Sequence, residues 1–342
     1  MEQAALPGGW SSLLNADNYV IGIDIGGRGQ RVVVANAAGQ LLGDAHAIDR
    51  GLAGAGVIET ISALVEQACL SARIPLERIV RVGVAFGGPV DPKRGLTLLS
   101  HRVTGFENFP LVNLIEDTLG IPTVLDNDAR AAALGEAMYG AARGSSDVVY
   151  VHLGTGVGGG ILVDGRLLHG TSNTTGEIGH MVVSVNGPIC SCGKPGHLEA
   201  YAAAPSILAR FRERLRAASP DEIEGWSDPN PISVRMIFER ARRGGVAGEV
   251  VNETVQVLGL AIANLITVLN PEAVIVGGSV AEVGPLLMNP LAARVRQYAY
   301  PASVRRVRIS AAQFRGDVTI LGAVALAVAS LVDRAGESVG QA

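Results

Sequence analysis

The chain has 342 residues, of which 48% are hydrophobic, and its formal net charge is −4. This length allows two domains with a core each, and the acidic balance gives no electrostatic basis for binding nucleic acid or an anionic membrane. Its three cysteines do not form a disulfide framework, and the first residues do not form a signal peptide. We therefore expect a cytoplasmic protein with neither a nucleic-acid nor a membrane partner.

The first third of the sequence alternates strands and helices. Strands are predicted at YVIGIDIGG (19–27), RVVVANAAGQLL (31–42), RIVRVGVAFGGPVD (78–91) and IPTVLDND (121–128), and helices at VIETISALVEQACLSA (57–72) and LVNLIEDTLG (111–120). This order is typical of α/β layers with some parallel pairing.

A similar pattern follows in the rest of the chain. Predicted elements are a helix at 128–144, two strands around a glycine-rich turn at 147–170, helices at 198–217 and 248–270, a buried strand at 271–278, an edge strand at 306–314 and a helix from about Asp317 to Asp333. No apolar run is long enough to span a bilayer.

Two stretches resemble each other: IGIDIGGRGQRVVVANAAGQLL (21–42) and VYVHLGTGVGGGILVDGRLL (149–168). Each predicts a strand, a glycine-rich turn, a second strand and a short tip. Turns without Cβ atoms let backbone N–H groups approach phosphate; the glycines concerned are Gly26, Gly27, Gly154, Gly156, Gly158, Gly159 and Gly160. Thr155 adds a hydroxyl donor, and Asp24 is placed to meet a metal-bound phosphate. The alternative is that these glycines serve only tight hairpins, but their duplication favours two lobes that face a phosphate-bearing ligand.

Asp128 follows a predicted strand and opens a predicted helix, a junction at which α/β proteins expose catalytic groups. The adjacent Asn127 can hydrogen-bond a hydroxyl. The alternative is that Asp128 only caps the helix.

These motifs together resemble the ROK family (repressors, open reading frames and kinases) over roughly residues 19–334. The matching stretches are DIGG (24–27), GGPVD (87–91), DNDARAAALGE (126–136), LGTGVGGG (153–160), GEIGHM (176–181), CSCGKPGHLEAY (190–201) and NPEAVIVGGSV (270–280). The resemblance implies an α/β, actin-like ATPase (ribonuclease H-like) fold of two lobes with a cleft between them. We assign 1–18 to an N-terminal extension, 19–126 plus 317–335 to a small lobe, and 127–316 to a large lobe with a zinc-binding loop.

The resemblance also implies roles for individual residues. Asp128 matches the catalytic base that takes the proton of a sugar hydroxyl as it attacks the γ-phosphate of ATP, with Mg²⁺ as cofactor. Gly87 lies in the matching turn. Asn127, Glu177, His180 and Glu199 match sugar-binding positions. Gly277, Gly278 and Ser279 match the loop beside the adenosine.

The same resemblance implies a structural zinc site formed by His180, Cys190, Cys192 and His197. The family pattern has a third cysteine where this chain has His197, and imidazole also binds zinc. His180 can serve two sites, with one ring nitrogen on the metal and the other towards a hydroxyl or its orienting partner. The alternative is a pair of thiols without metal.

Two departures from the family pattern affect the predicted activity. Arg28 replaces the threonine of the first phosphate motif, so it either contacts the γ-phosphate or impairs turnover. Arg102 stands where the family has a sugar-binding asparagine, with His101 and Thr104 as neighbouring polar candidates.

The leading hypothesis is an ATP-dependent hexose kinase, with glucose phosphorylated at its 6-hydroxyl. Mannose, fructose, amino hexoses, N-acetylhexosamines and another phosphoryl donor remain alternatives, as does a catalytically weakened sugar sensor. A DNA-binding regulator is disfavoured, because about 18 residues precede the first strand and no basic recognition helix is found. A homodimer or higher homo-oligomer is expected by resemblance.

Overall fold

A computed structural model describes residues 18–27, 29–48, 54–99, 105–226 and 231–339, with the backbone alone at 54–55 and 332–339. Most of the predicted N-terminal extension therefore lies outside the described residues. The strands are β1 Tyr19–Gly26, β2 Gly29–Ala35, β3 Leu41–Ile48, β4 Ile79–Phe86, β5 Val90–Asp91, β6 Leu96–Thr97, β7 Thr123–Asn127, β8 Val148–Leu153, β9 Val157–Val163, β10 Arg166–Leu167, β11 Ala273–Gly277 and β12 Arg308–Ala311.

Helices follow or separate these strands. They are α1 Gly54–Ala72, α2 Leu111–Leu119, α3 Asp128–Met138, α4 Glu199–Ala202, α5 Ala204–Arg216, α6 Pro220–Glu224, α7 Val234–Arg240, α8 Gly245–Leu269, α9 Pro285–Tyr298, α10 Pro301–Val304 and α11 Val318–Val339.

The chain divides into two compact units. Of the described residues, the first unit takes those within 1–146, 160–175 and 317–342, and the second takes those within 147–159 and 176–316. Residues 127–146 and 160–175 thus belong to the first unit, whereas the predicted large lobe is 127–316. The lobe boundaries remain a prediction.

The first unit contains a five-stranded sheet of order β3-β2-β1-β4-β7. β1, β2 and β3 pair antiparallel, whereas β4 pairs parallel with β1 and β7. Side chains alternate along β1, so Ile21 and Ile23 belong to the core formed with α1 and α2. Gly22 faces Val324 of α11 on the other side of the sheet, where a Cβ would lie 2.8 Å from that side chain. Helices therefore cover both faces.

The second sheet has the order β10-β9-β8-β11-β12, with parallel pairing of β11 to β8 and β12. The chain passes from the second unit to the first within β9, between Gly159 and Gly160. In the second unit, Val151 and Leu153 of β8 share a core with Leu258 and Ile262 of α8. In both sheets the three hairpin strands lie in reverse chain order, and two parallel strands follow beside the first of them. This shared order is the repeat that the two similar stretches of sequence indicate.

Some elements differ from the sequence prediction. Residues 31–42 form two strands separated by a turn, because Asn36 Oδ1 accepts hydrogen bonds from the N–H groups of Ala38 and Gln40. The predicted helix over 198–217 is broken into α4 and α5 at Ala203, whose backbone is extended.

One helix in the described part of the chain, Gly245–Leu269, is long and apolar enough to cross a membrane by length and composition. Half of its most apolar stretch is buried, and its side chains contribute to the core of the second unit. A core helix passes the same test, so this helix is accounted for by packing.

Candidate active site

Asn127 ends β7 and is the N-cap of α3. Its Oδ1 accepts hydrogen bonds from the N–H groups of Ala129 (3.0 Å) and Arg130 (3.3 Å), and its Nδ2 donates to the carbonyl of Gly88 (3.2 Å). The capping role that the sequence left open for Asp128 thus belongs to Asn127.

Asp128 is the first residue of α3 and is half-buried. Its Oδ1 accepts a hydrogen bond from the Ala129 N–H at 2.8 Å. A Cβ at Gly87 would lie 3.6 Å from Asp128 Oδ2 and 3.4 Å from the Cα of Gly26. The first unit thereby brings Gly26, Gly87 and Asp128 together at the carboxyl ends of three neighbouring strands, the edge at which α/β sheets bind ligands.

The first glycine turn joins β1 to β2 and contains Gly26 and Gly27. Asp24 lies on the same strand end, and its Oδ1 is 3.8 Å from the position of a Cβ at Gly26. A carboxylate beside a turn that lacks side chains fits a magnesium-bound phosphate. Arg28 lies outside the described residues, as do His101, Arg102 and Thr104.

Sequence reasoning missed a buried ion cluster next to the candidate base. Asp126 Oδ1 accepts a hydrogen bond from Arg130 Nε at 2.6 Å, and Asp126 Oδ2 lies 2.7 Å from His169 Nε2. Burial alone would raise the pKa of Asp126, but the hydrogen bond with His169 and the charge of Arg130 hold that pKa below its usual value. The carboxyl is therefore ionised near neutral pH. Only the i, i+4 spacing of Asp126 and Arg130 was visible in the sequence.

In the second unit, the glycine-rich turn after β8 is closed by a hydrogen bond from the Gly154 N–H to the Gly156 carbonyl at 2.9 Å. Thr155 at its tip is exposed. The loop of Gly277, Gly278 and Ser279 packs against this turn. The Val280 N–H donates a hydrogen bond to the Leu153 carbonyl at 3.0 Å. Gly278 has φ +87°, and a Cβ there would collide with the backbone of Leu153. The two predicted nucleotide motifs are thus adjacent, and Thr155 and Ser279 are both exposed residues.

Glu199 opens α4, and its two oxygens reach different segments of the second unit. Oε2 accepts a hydrogen bond from the Val157 N–H at 3.0 Å, and Oε1 accepts one from the Ser191 hydroxyl. Burial raises the pKa of Glu199, but these two donors and the nearby His180 more than offset that effect and lower the pKa. Gly158 and Gly159 follow Val157 in β9, where a Cβ at Gly159 would meet Ile178.

His180, Cys190, Cys192 and His197 converge in one cluster, with all four ligand atoms within 4.8 Å of one another. His180 Nδ1 lies 3.7 Å from Cys190 Sγ, and His197 Nδ1 lies 3.2 Å from Cys192 Sγ. Ligands of a tetrahedral zinc ion stand about 3.3–3.8 Å apart, given typical bond lengths. The donors therefore fit a tetrahedral metal ion. His180 Nε2 lies 3.9 Å from a carboxylate oxygen of Glu177, so the two ring nitrogens face different groups.

Known proteins resemble this chain over most of its length. The model of the ROK family matches residues 20–330. The glucokinase of Streptomyces coelicolor is 31% identical over 314 residues, which cover 90% of this chain and 96% of that protein. The xylose repressor of Caldicellulosiruptor bescii is 26% identical over 315 residues, which cover 92% and 79%.

A solved structure, the ROK family glucokinase of Streptomyces griseus in complex with glucose and AMPPNP, is 32% identical, with a TM-score of 0.75 over 91% of this chain and 99% of the other. The fold is the actin-like ATPase fold, as predicted. The chain belongs to the ROK family, whose sugar kinases and repressors are both among its relatives.

Proposed function

We propose that this protein is an ATP-dependent sugar kinase that phosphorylates a hexose, with glucose at its 6-hydroxyl as the first candidate. The observation that carries the proposal is the position of Asp128. Its Oδ2 lies beside the Gly87 turn while Asn127 makes the helix cap, so this carboxylate oxygen is available to a substrate hydroxyl.

In the proposed reaction, the sugar oxygen attacks the γ-phosphorus of ATP as its proton passes to Asp128. The bond between that phosphorus and the β,γ-bridging oxygen breaks, and ADP leaves. Asn127 orients the sugar, and the Gly26 and Gly87 turns leave room for the phosphates. Mg²⁺, with Asp24 nearby, would neutralise charge on the phosphates.

Residues of the second unit have proposed roles of their own. Thr155 and the glycines around it would donate to phosphate oxygens, and the loop from Gly277 to Ser279 would line the adenosine side. Glu177, His180 and Glu199 would bind sugar hydroxyls. The bound glucose and AMPPNP of the Streptomyces griseus relative support both ligand classes.

The Cys and His cluster would hold zinc in a Cys₂His₂ site. Four protein ligands leave no position to activate water, so such an ion is structural. It would fix the loop that carries His180 and Ser191. We further propose a cytoplasmic location and self-association into a homodimer or larger assembly, both by analogy with the family.

The test is ADP release with ATP and Mg²⁺ across glucose, mannose, fructose, glucosamine, N-acetylglucosamine and N-acetylmannosamine. We expect turnover on at least one sugar, a loss of about 10²–10⁴-fold in kcat for Asp128→Asn, and unchanged activity for Asp117→Asn, an exposed aspartate on α2. Glucose binding without turnover would favour a sugar sensor, the role that the repressor relatives suggest.

A further inference from the structure

The Asp126 cluster, formed by Asp126, Arg130 and His169, joins three segments of the first unit. Asp126 lies on β7, Arg130 on α3, and His169 in the segment after β10. Because a carboxylate only accepts hydrogen bonds, His169 Nε2 carries the proton and donates to Asp126 Oδ2. The side chains of Asp126 and Arg130 are each 3% exposed, and that of His169 is 32% exposed.

The Asp126 carboxylate also holds the backbone of the residue that follows it. Oδ1 accepts from the Asn127 N–H at 2.7 Å in addition to Arg130 Nε. Asn127 in turn caps α3, whose first residue is Asp128. The donors on Asp126 therefore set the backbone from which both Asn127 and Asp128 project.

Arg130 also binds the segment that follows β10, at a point other than His169. Its Nη1 donates to the carbonyls of Asn173 (2.9 Å) and Thr175 (3.4 Å). The segment 169–175 is thus held at one end through His169 and at the other through Arg130. Loss of His169 would remove the donor to Asp126 Oδ2, since the Arg130 and Asn127 donors both bind Oδ1, and a buried carboxylate oxygen without its donor is costly.

We propose that His169 is a positioning residue: through Asp126 it holds Asn127 and Asp128 in the geometry that the reaction needs. The role of Asp128 in this statement rests on the proposed function. His169 itself touches neither substrate nor reacting atoms in this proposal, and it acts on the turnover step more than on sugar binding. Displacement of a catalytic group by about 1 Å is enough to cost on the order of 100-fold in rate.

The test compares His169→Ala, His169→Gln and the control His46→Ala, which removes an exposed histidine from β3 of the same unit. We expect His169→Ala to lower kcat by about 10–100-fold, with the sugar KM within about threefold. A glutamine amide can still donate to Asp126, so His169→Gln should recover most of the loss, and His46→Ala should match the wild type.

A second measurement does not depend on activity. Amide hydrogen exchange over residues 127–130 should be faster in His169→Ala than in the wild type, while His169→Gln and His46→Ala keep the wild-type rate. Unchanged exchange, or a kcat within twofold of wild type, overturns the proposal. The proposal is also overturned if both His169 variants show the same decrease in kcat, the same increase in sugar KM and the same decrease in folding stability. That result indicates a structural role alone. A wild-type protein that phosphorylates no sugar refutes the proposed function. The exchange rates then still decide whether His169 stabilises the backbone of residues 127–130.

Discussion

The Glu199 carboxylate accepts a hydrogen bond from the backbone N–H of Val157 at 3.0 Å. This contact links the segment that follows the glycine-rich turn to the first residue of α4. Since Glu199 Oε1 also accepts from Ser191, which stands between two cysteines of the metal cluster, one side chain connects the cluster to the turn. A residue that the sequence presents only as a sugar ligand therefore has a second task within the second unit.

Glu199→Gln should weaken both sugar and nucleotide binding. It replaces a charged acceptor by a neutral one, and hydrogen bonds to charged groups contribute about 1.5–3 kcal/mol. We expect losses of about tenfold or more in the affinity for glucose and for AMPPNP, measured by isothermal titration calorimetry. Ser191→Ala, which removes one donor and leaves the carboxylate, should lose less in both. An AMPPNP affinity that Glu199→Gln leaves unchanged would show that the Val157 contact does not support the turn.

Metal content should depend on the four cluster residues. The purified protein should hold about one zinc ion per chain, and Cys192→Ser or His197→Ala should reduce this amount and lower Tm, because loss of a ligand destabilises a loop that folds around its metal. His197→Cys, which restores the three-cysteine pattern, should keep the ion. The measurements are elemental analysis and thermal unfolding.

Cys69→Ala is the matched control, because Cys69 is buried in the first unit and is not part of the cluster. It should retain the full zinc content. A wild-type protein without zinc after purification in zinc-supplemented buffer would contradict the metal assignment.

Gly83→Ala should destabilise the first unit. A Cβ at Gly83 would collide with the backbone carbonyl of Ala323 in α11, and backbone cannot move aside cheaply. Overpacking of this kind costs about 1–3 kcal/mol, measurable by urea unfolding. Gly316→Ala, where nothing lies within 4 Å of the added carbon, should stay within about 0.5 kcal/mol of wild type. Equal stability of the two variants would mean that α11 does not pack so closely on β4.

The stability of the protein should depend on the ionisation of Asp126. Its folded pKa lies below the unfolded value of about 3.9. The carboxylate therefore contributes fully above about pH 5, and the contribution is lost as the pH falls towards the folded pKa. Asp126→Asn removes it, so the free energy of unfolding should decline less between about pH 5 and pH 3 in the variant than in the wild type. Urea unfolding at several pH values measures this, and Asp117→Asn should keep the wild-type slope.

The parts of the site that depend on local chain patterns were predictable from the sequence. The two glycine hairpins and the junction at Asp128 follow from runs of apolar residues that end in glycine or a polar residue. The metal cluster was implied by the resemblance to the ROK family, and the crowding of three of its ligands within eight residues supports it.

The Asp126 cluster was not predictable in this way. His169 is 43 residues from Asp126, and no periodicity links a residue after a short strand to one inside a buried strand. The turn at Asn36 was predicted only as a short tip, inside a strand-like run over 31–42. The alanines around it continue the apolar run, whereas the turn is closed by both backbone and side-chain hydrogen bonds of Asn36.

The packing of α11 also determines when the first unit can be completed during synthesis. Gly22 of β1 and Gly83 of β4 lack the Cβ atoms that would collide with this helix. More than two hundred residues separate β4 from α11 along the chain. At about 5–20 residues per second, a ribosome needs on the order of ten to fifty seconds to cover that interval. One face of the first sheet lacks this helix for that time, during which the strands and helices of the second unit are being made. The nascent chain therefore exposes an apolar, glycine-lined sheet surface that a chaperone could bind.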